Sequence, residues 1–325
     1  MSKALPDTAL SYSFVLMAYN QQNYVRDAVT ALLAQDCPPL EIFLSDDCST
    51  DDTFAVMQDA VAGYAGPHSV VLNRNPENLG VNRHITRCYD MCAGEVIIAT
   101  SGDDICHPHR AARTMEVFER DRPLLAFSQA TVVSLAGTPQ PPDYQKALFY
   151  TTRDAVAAAR SMSLYLGATC AWHKDIFRKY GPIDPLCFED LIFGFRAALE
   201  GRVAFIDQDL LTYRVGEGLS NRAFAPVSRE AYTAHRLRAI ARDIAVFEQR
   251  LADCKTFGLD DGSEIVRVVR HKLQERQRRA SYLRDGALGV LRQPDGSLSE
   301  KLRAIIYEGH KRRRKLNKSK PGTDA

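Results

Sequence analysis

Short apolar runs alternate with stretches of helical periodicity through the first hundred residues of the chain. Runs of about four to eight apolar residues are typical of buried strands, whereas apolar residues three or four positions apart are typical of helices. The pattern predicts four strands and three helices in alternation. In chain order they are Ser13–Ala18, Tyr24–Ala34, Glu41–Ser45, Thr53–Ala62, Ser69–Asn73, Val81–Met91 and Glu95–Thr100. This alternation predicts an α/β fold, with a mostly parallel central sheet flanked by helices.

The remainder of the chain divides into two parts that differ in pattern and in charge. Its predicted elements are a strand at Leu124–Leu135, a helix from Glu189 to Gly201, short strands at 202–206 and 210–215, and basic helices from about Pro226 to Arg284 and over Ser299–Lys315. The net charge is −8 over residues 1–224 and +10 over residues 225–325. We therefore predict an α/β domain, residues 1–224, and a basic, mainly helical extension, residues 225–325.

Composition limits the class of protein. With 45% hydrophobic and 25% charged residues, the 325-residue chain has the balance of a soluble globular protein. No apolar run approaches the roughly 18 residues of a membrane-spanning helix, and the N-terminus lacks an apolar signal segment, so we expect a cytoplasmic protein. None of the eight cysteines forms a C-x-x-C pair, which favours reduced packing residues over a zinc site or disulfides.

Polar segments follow the first, second and fourth predicted strands, and they read YNQQNY, SDDCSTDD and SGDD. Ligands of parallel sheets bind at the carboxyl ends of the strands, so these segments form the candidate site. The first of them contains no glycine, and neither a G-x-G-x-x-G turn nor a Walker A loop is present. Phosphates are therefore not expected to be held by a glycine-rich turn.

Two adjacent carboxylates, Asp103 and Asp104, follow the fourth strand after a single glycine. The residue types alone leave two interpretations open. The pair can form an ordinary polar turn, or it can bind a divalent cation, which prefers carboxylate oxygens.

Five segments in order, FVLMAYN, EIFLSDDCSTDDT, NPENLGVNRH, IIATSGDDICHP and FEDLIFGFRA, resemble the inverting glycosyltransferases of family 2. The resemblance covers about Tyr12 to Arg222 and rests on the order of the motifs, because a paired aspartate alone is common. It implies the GT-A fold, in which a Rossmann-like nucleotide-binding half is joined to an acceptor half. It also implies transfer of a sugar from a nucleotide donor.

The resemblance implies nucleotide contacts after the first three strands. Asp47 matches the family's aspartate that hydrogen-bonds the base, and Tyr19 matches the residue that flanks the base. A carboxylate only accepts hydrogen bonds, so it needs a base with an imino proton, such as uracil, thymine or guanine. Asn78 and Gly80 match the segment that borders the nucleotide. Arg83 in the same segment either contacts a phosphate or is a solvated helix arginine.

Asp103 and Asp104 match the family's acidic metal motif. The second acid of such a pair is the more direct ligand, which points to Asp104, while Asp103 would contact the ribose or the sugar. Mn²⁺ or Mg²⁺ would neutralise the charge that develops on the leaving diphosphate. The phosphates and water would supply the remaining oxygen ligands.

An inverting transfer needs a base that takes the proton from the acceptor hydroxyl. The family uses an acid at a helix start, which matches Asp190, with Glu189 beside it on the acceptor or sugar side. Helix capping is the alternative role for Asp190. Trp172, the only tryptophan, either stacks on the sugar or acceptor or belongs to the core.

The chain departs from the family pattern in two places. Gly216 stands where members often have a metal-binding histidine after the last strand, so His107, His109 or water would have to substitute. The Q-x-x-R-W signature of processive synthases is absent. Together with the lack of a predicted spanning helix, this favours an enzyme that adds one sugar.

The resemblance thus implies a non-processive, inverting and metal-dependent hexosyl- or N-acetylhexosaminyltransferase. It would move one sugar from a nucleotide-sugar, most simply UDP-linked, to a hydroxyl of a glycan or lipid-linked acceptor, as polysaccharide biosynthesis requires. One alternative is a catalytically inactive nucleotide-sugar-binding or scaffolding protein with the same fold. A second is a nucleotidyltransferase of similar topology, whose glycine-rich loop is absent here.

Residues 311–320 hold seven Lys and Arg and no acid. This tail is either a solvated end or a peripheral contact with an anionic membrane at its inner face. Each basic residue near such a surface contributes about 1 kcal/mol. Nucleic acid is not an expected partner, because the run contains no aromatic residues that would stack on bases.

Overall fold

The computed structural model describes residues 9–141, 146–215 and 228–318. The chain divides into two compact units. The first comprises Met1–Pro185 and Glu189–Gly218, and the second comprises Leu186–Phe188 and Leu219–Ala325. The boundary predicted at residue 224 lies outside the described residues and stays a prediction.

An eight-stranded sheet forms the centre of the first unit. Its strands are β1 (Tyr12–Ala18), β2 (Glu41–Asp46), β3 (Ser69–Arg74), β4 (Val96–Ser101), β5 (Ile105–Cys106), β6 (Leu125–Ser134), β7 (Cys170–His173) and β8 (Val203–Val215). They lie in the order β3-β2-β1-β4-β7-β6-β8-β5. The first four pair in parallel, and β7 runs antiparallel between β4 and β6. The carboxyl ends of β1, β2 and β4 therefore meet at one edge of the sheet, as the candidate site requires.

Seven helices of the described residues flank this sheet. They are α1 (Val25–Leu33), α2 (Thr53–Val61), α3 (Val81–Met91), α4 (Arg110–Asp121), α5 (Ala155–Arg160), α6 (Asp175–Tyr180) and α7 (Glu189–Leu199). The apolar residues of α1 and α4 belong to one core cluster with those of β1, β2 and β4. Phe14, Ile42 and Ile98, one from each of these strands, are fully buried. The mostly parallel α/β fold predicted from the apolar runs is confirmed.

The last strand of the sheet differs from the prediction. Two short strands were expected at 202–206 and 210–215, but β8 is continuous: its pairing with β6 is interrupted after Ile206 and resumes at Asp209. Asp207 and Asp209 are exposed and accept hydrogen bonds from Gln129 and Thr131, and the register shifts between β6 and β8 at this place. A bulge of this kind keeps a strand intact where the sequence resembles a turn.

The second unit contains three long helices, α8 (Arg229–Phe257), α9 (Glu264–Leu291) and α10 (Leu298–Lys318). The helix predicted to continue to Arg284 is interrupted after α8. Gly258 ends α8 with a φ of 96°, a conformation that suits glycine, and Ser263 begins α9 by accepting a hydrogen bond from the Val266 N–H. Within the described part of the chain, no helix is both long and apolar enough to cross a membrane.

We expect Gly94→Ala to destabilise the first unit. A Cβ at this position would lie 2.4 Å from the backbone nitrogen of Ser13 and 2.5 Å from the backbone carbon of Tyr12, so β1 would have to shift. Overpacking against backbone costs about 1–3 kcal/mol, measurable as a lower thermal unfolding midpoint. Gly262→Ala, where the nearest atom is the mobile end of the Asp260 side chain at 3.2 Å, is the matched control. Equal midpoints for the two variants would contradict the close approach of Gly94 to β1.

Candidate active site

Asp46 and Asp47, at the end of β2, have different partners. Asp46 is fully buried; it accepts hydrogen bonds from the backbone N–H and the hydroxyl of Ser49, and its Oδ2 lies 3.4 Å from Nε of Arg74. These contacts hold the loop after β2, in which Cys48 has a positive φ of 60°. Sequence reasoning missed Asp46, although its place beside Asp47 was the available signal.

Asp47 is 3% exposed and is bound to the segment before α3. Its Oδ1 accepts hydrogen bonds from Asn75 Nδ2 at 2.8 Å and from the Leu79 N–H at 2.9 Å. Its Oδ2 accepts one from the Gly80 N–H, also at 2.9 Å. An ionised carboxylate has about four acceptor positions, so capacity for one further donor remains. Asp47 therefore organises the loop in addition to being the candidate contact for a base.

Tyr19 follows β1 and is 41% exposed. The next residue, Asn20, joins the loops after β1 and β2: its N–H donates to Ser49 Oγ at 2.9 Å, and its Oδ1 accepts from the Thr50 N–H at 2.8 Å. The backbone beside Tyr19 is thus held against the loop after β2, and the Tyr19 side chain is open to solvent.

Asn78 and Arg83 are exposed near the start of α3. Asn78 turns its Oδ1 to the Gly80 N–H at 3.0 Å, so it helps to form the turn that Asp47 holds. Gly80 has a positive φ of 73° in that turn. Arg83 lies in the first turn of α3 and forms no ion pair with the residues that the structure describes. Both interpretations of Arg83 therefore stay open.

The turn of Asp103 and Asp104 begins where β4 ends. A Cβ on Gly102 would lie 2.6 Å from Gln21 Oε1 and 3.1 Å from the Cβ of Ala18, so a larger residue would have to displace the Gln21 side chain. The Gly102 N–H also donates to the Met17 carbonyl at 3.1 Å. The turn is thus packed directly against the end of β1.

The carboxylate of Asp104 is fully buried and only partly satisfied by the protein. Oδ1 accepts a hydrogen bond from the Arg214 N–H at 3.1 Å, and Oδ2 has no partner among the described residues. Burial raises the pKa of Asp104 well above its usual range, and the nearby charge of Asp103 raises it further. The Arg214 N–H and the charge of Arg110 act in the opposite direction. A buried carboxylate oxygen without a partner is costly, and it is the type of atom that a divalent cation binds.

Arg214, in β8, supports this turn and was missed by sequence reasoning. Its Nη1 donates to the Asp103 carbonyl at 3.0 Å, its Nη2 lies 3.4 Å from Asp27 Oδ2, and its guanidinium lies over the ring of Tyr24. The sequence offered one indication of its role. Arg214 lies two residues before Gly216, the position at which family members often have a metal-binding histidine. Gly216 itself lies outside the described residues.

Other metal ligands are not assembled around Asp104. No group of three or more His, Cys, Asp or Glu residues in the described ranges could hold a metal ion. Both ring nitrogens of His107 have hydrogen-bond partners in β8: Nδ1 donates to the Asp209 carbonyl at 2.8 Å, and Nε2 accepts from Thr212 Oγ1 at 3.1 Å. His109 is exposed and lies 3.5 Å from Asp36. The structure therefore gives no support to either histidine as a substitute ligand. A cation would depend on Asp104, with further oxygens from a bound diphosphate and water.

Arg110, the first residue of α4, is 1% exposed and connects two parts of the first unit. Its Nη2 donates to the Ala99 carbonyl in β4 at 2.6 Å and to the Ala168 carbonyl at 2.8 Å, and its Nη1 donates to the Cys106 sulfur. Ala168 belongs to the short 3₁₀ turn Gly167–Thr169 before β7. The signal in the sequence was a cation at the N-terminus of a helix, where the helix dipole disfavours it.

Glu189 and Asp190 begin α7 beside that 3₁₀ turn. A Cβ on Gly167 would lie 3.0 Å from Glu189 Oε1 and 3.6 Å from the Cβ of Asp190. Burial raises the pKa of Glu189. Asp190 Oδ1 accepts a hydrogen bond from the Leu191 N–H at 2.8 Å, a local contact that leaves both the base and the capping interpretations open.

Trp172 is part of the core, which is the second of the two alternatives left by the sequence. It lies in β7 between β4 and β6, is 2% exposed, and packs against Phe193 with ring centroids 5.0 Å apart. A ring that is enclosed in this way has no face available for a sugar. Trp172 is therefore not retained as an acceptor or sugar contact.

The sequence profile described as Glycosyl transferase family 2 matches residues 13–181. This range is more than half of the 325-residue chain, and the chain belongs to this family. The profile ends before Glu189 and Asp190, so it covers the nucleotide side of the candidate site and not the candidate base.

Two solved structures have the same GT-A fold. Staphylococcus aureus TarS 1–349, in complex with UDP-GlcNAc, has a TM-score of 0.56 at 15% identity, over 94% of this chain and 93% of that chain. The mannosyltransferase PcManGT of Pyrobaculum calidifontis, in complex with GDP-Man and Mn²⁺, has a TM-score of 0.55 at 14% identity, over 96% and 84%. The predicted fold is confirmed.

Sequence relatives have glycosyltransferase names. The poly(ribitol-phosphate) beta-N-acetylglucosaminyltransferase TarS of Staphylococcus aureus is 21% identical over 318 residues, which are 92% of this chain and 53% of TarS. The putative glycosyltransferase EpsE of Bacillus subtilis is 24% identical over 110 residues, 34% of this chain and 39% of EpsE. The matches thus span well under two thirds of these relatives' length.

We expect Asp104→Asn to stabilise the metal-free protein near neutral pH. The folded state raises the pKa of Asp104 above its unfolded value of about 3.9, so wild-type stability falls as the pH rises from that value through the folded pKa. Asparagine removes the buried charge and can still accept the Arg214 N–H. In EDTA, the thermal midpoint of the variant should exceed that of wild type, and the difference should shrink toward about pH 4.

Asp90→Asn, at an exposed carboxylate of α3, makes the same chemical change outside the site and should leave the midpoint unchanged. A thermal midpoint for Asp104→Asn below that of wild type at neutral pH would contradict this prediction. It would show that other groups in the folded protein stabilise the charge of the Asp104 carboxylate.

Proposed function

We propose that the protein is a non-processive, inverting glycosyltransferase that moves one sugar from a nucleotide-sugar to a hydroxyl of a glycan or lipid-linked acceptor. The observation that carries this proposal is the buried, unpartnered Oδ2 of Asp104 at the carboxyl end of β4. It lies at the sheet edge that also holds Tyr19 and Asp47. Membership of glycosyl transferase family 2 supports the reaction class.

On the donor side, the remaining acceptor position of Asp47 would receive the imino proton of the base, while the exposed ring of Tyr19 flanks the base. This requirement favours a uracil or guanine nucleotide over cytosine. UDP is the first candidate, because TarS was solved with UDP-GlcNAc, and GDP is the second, because PcManGT was solved with GDP-Man. Asn78 would border the nucleotide, and Arg83, exposed at the positive end of α3, is in a position to contact a phosphate.

Asp104 would hold a divalent cation, Mn²⁺ or Mg²⁺, through its unpartnered oxygen, and Asp103 would orient the ribose or the sugar. The cation, when bound, neutralises charge on the diphosphate as it leaves. Arg214 keeps both acids in place, because it binds the Asp103 carbonyl and donates its own N–H to Asp104. Dependence on a cation is therefore part of the proposal.

On the acceptor side, Asp190 would accept the proton of the attacking hydroxyl. Its neighbour Glu189, whose pKa is raised by burial, would be a hydrogen-bonding partner for the acceptor or sugar. Attack on the side of the anomeric carbon opposite the nucleotide inverts its configuration. Whether the sugar is a hexose or an N-acetylhexosamine is decided by testing a panel of UDP- and GDP-sugars for nucleotide release. Absence of release from every donor would favour the inactive nucleotide-sugar-binding protein, the alternative that Gly216 supports.

Asp104→Asn is expected to abolish turnover and to weaken UDP binding in the presence of Mn²⁺. The amide keeps the size of the side chain but cannot supply the charged oxygen ligand. Calorimetry of UDP binding, with and without Mn²⁺, measures the effect. The control is Asp90→Asn, the same substitution outside the candidate site. Because few protein ligands are present, chelation by EDTA should also stop the reaction. Unchanged donor turnover after exhaustive chelation would remove the cation from the mechanism.

Asp190→Asn is expected to reduce turnover by about two to four orders of magnitude, the usual contribution of a general base. UDP affinity should stay the same, because this side chain faces the acceptor. Asp175→Asn makes the same change in the first turn of α6 and should keep turnover. Loss of UDP binding with persistent transfer would instead assign Asp190 to helix capping.

A further inference from the structure

Helix α10 exposes apolar side chains in a regular pattern. Leu298, Leu302 and Ile306 are 65%, 45% and 67% exposed, and they recur every four residues along one side of the helix. Leu288 and Leu291, which follow a kink at Gly286 in α9, are also exposed. Single exposed leucines are ordinary, but a stripe of this type marks a surface that is covered when the protein works.

A basic groove of about 760 Å³ lies between α9 and α10. Its lining includes six Lys or Arg side chains and only two acids, Glu275 and Glu300. Ile306 and Arg303 belong to the lining, so the apolar stripe and the groove adjoin. The surface therefore combines apolar and positively charged groups along the same helix.

Arg278 is a buried arginine in the lining of the groove. The side chain is 2% exposed, yet its Nε and Nη1 have no hydrogen-bond partner in the described part of the chain. Its Nη2 forms an ion pair with Glu300 Oε1 at 3.6 Å. Buried guanidinium N–H groups that donate no hydrogen bond are costly, and phosphate oxygens accept from them especially well.

We propose that the α10 surface, formed by Leu298, Leu302, Ile306 and the basic groove, docks onto an anionic phospholipid bilayer. A helix that lies in the plane of a membrane places its apolar side chains at the boundary between headgroups and acyl chains. Its Lys and Arg side chains then lie at the level of the lipid phosphates. This surface extends the membrane contact predicted for residues 311–320, of which 319 and 320 lie outside the described residues.

Charge and apolar exposure together favour a bilayer over two other ligands of the α10 surface, a second copy of the chain and a soluble polyanion. A second copy bound about a twofold axis would bring the same surface against itself, and Arg303 and Arg314 would face like charges. A soluble polyanion would satisfy the groove but would leave Leu302 and Ile306 in water. An anionic bilayer satisfies both the apolar and the charged groups.

The test is co-sedimentation of the full chain with vesicles, without donor or acceptor, so its outcome is independent of the proposed transfer reaction. Vesicles containing phosphatidylglycerol are compared with vesicles of phosphatidylcholine alone. Leu302→Gln combined with Ile306→Gln should weaken binding at least about tenfold, because two apolar insertions are lost. Arg303→Gln combined with Arg314→Gln should weaken binding about 30-fold and reduce its dependence on salt.

Two variants outside the surface are the controls: Met91→Gln, at a 42% exposed residue of α3, and Arg113→Gln, on α4. Both should bind as wild type does, and circular dichroism melts show that every variant is folded. Binding that ignores these paired substitutions, or that is equal for both types of vesicle, overturns the proposal.

Two further measurements exclude the other occupants. If inorganic polyphosphate binds to the groove while phosphatidylglycerol vesicles do not, the ligand is a soluble polyanion. If Leu302→Gln with Ile306→Gln lowers the oligomeric mass in the absence of vesicles, the surface is an interface between copies. Wild-type binding to anionic vesicles alone, with an unchanged oligomeric mass in the variants, is the result that we expect.

Discussion

The buried guanidinium of Arg110 is the interaction on which the geometry of the candidate site depends. It joins the Ala99 carbonyl, at the end of β4, to the Ala168 carbonyl in the turn against which Glu189 lies. The Asp103–Asp104 turn and the start of α7 therefore share one rigid support. A buried arginine is normally costly, but here backbone carbonyls accept its N–H groups and the ring of Phe14 lies beneath it. Its charge also favours the ionised form of Asp104.

The acids at the strand ends divide into those that the chain itself satisfies and one that it does not. Asp46 and Asp47 accept hydrogen bonds from the loops around them, and they fix those loops at the sheet edge by doing so. Asp104 keeps an oxygen without a partner although it is fully buried. Such an arrangement lowers the stability of the free protein and is retained where binding restores the missing interaction. The Asp104 side chain is thus both a source of instability in the free protein and the candidate ligand for a cation.

Periodicity in the sequence predicted most elements of the first unit to within one or two residues, because fully apolar strands and one-sided helices are unambiguous patterns. It failed where a bulge carries one strand through a polar segment, at Asp207 to Asp209 in β8, and where one glycine interrupts a helical pattern, at Gly258. Motif order identified the acids that the structure brings to one sheet edge. It could not identify Arg110 or Arg214, because their roles depend on contacts between segments 58 and 111 residues apart. The sequence could not decide whether Trp172 contacts a sugar or belongs to the core, because only the strand order shows that β7 lies inside the sheet.

The helices of the second unit pack together although this part of the chain carries a large excess of positive charge. Two of its acids bind arginines between helices: Glu308 of α10 is fully buried against Arg236 of α8, and Asp243 of α8 accepts a hydrogen bond from Arg276 of α9 at 2.7 Å. These pairs join the helices. On α10, the exposed Arg303 and Arg314 lie on the same helix as exposed leucine and isoleucine. One side of α10 packs against the other helices of the unit. The other side presents cationic and apolar side chains together, and water solvates only the cationic ones well.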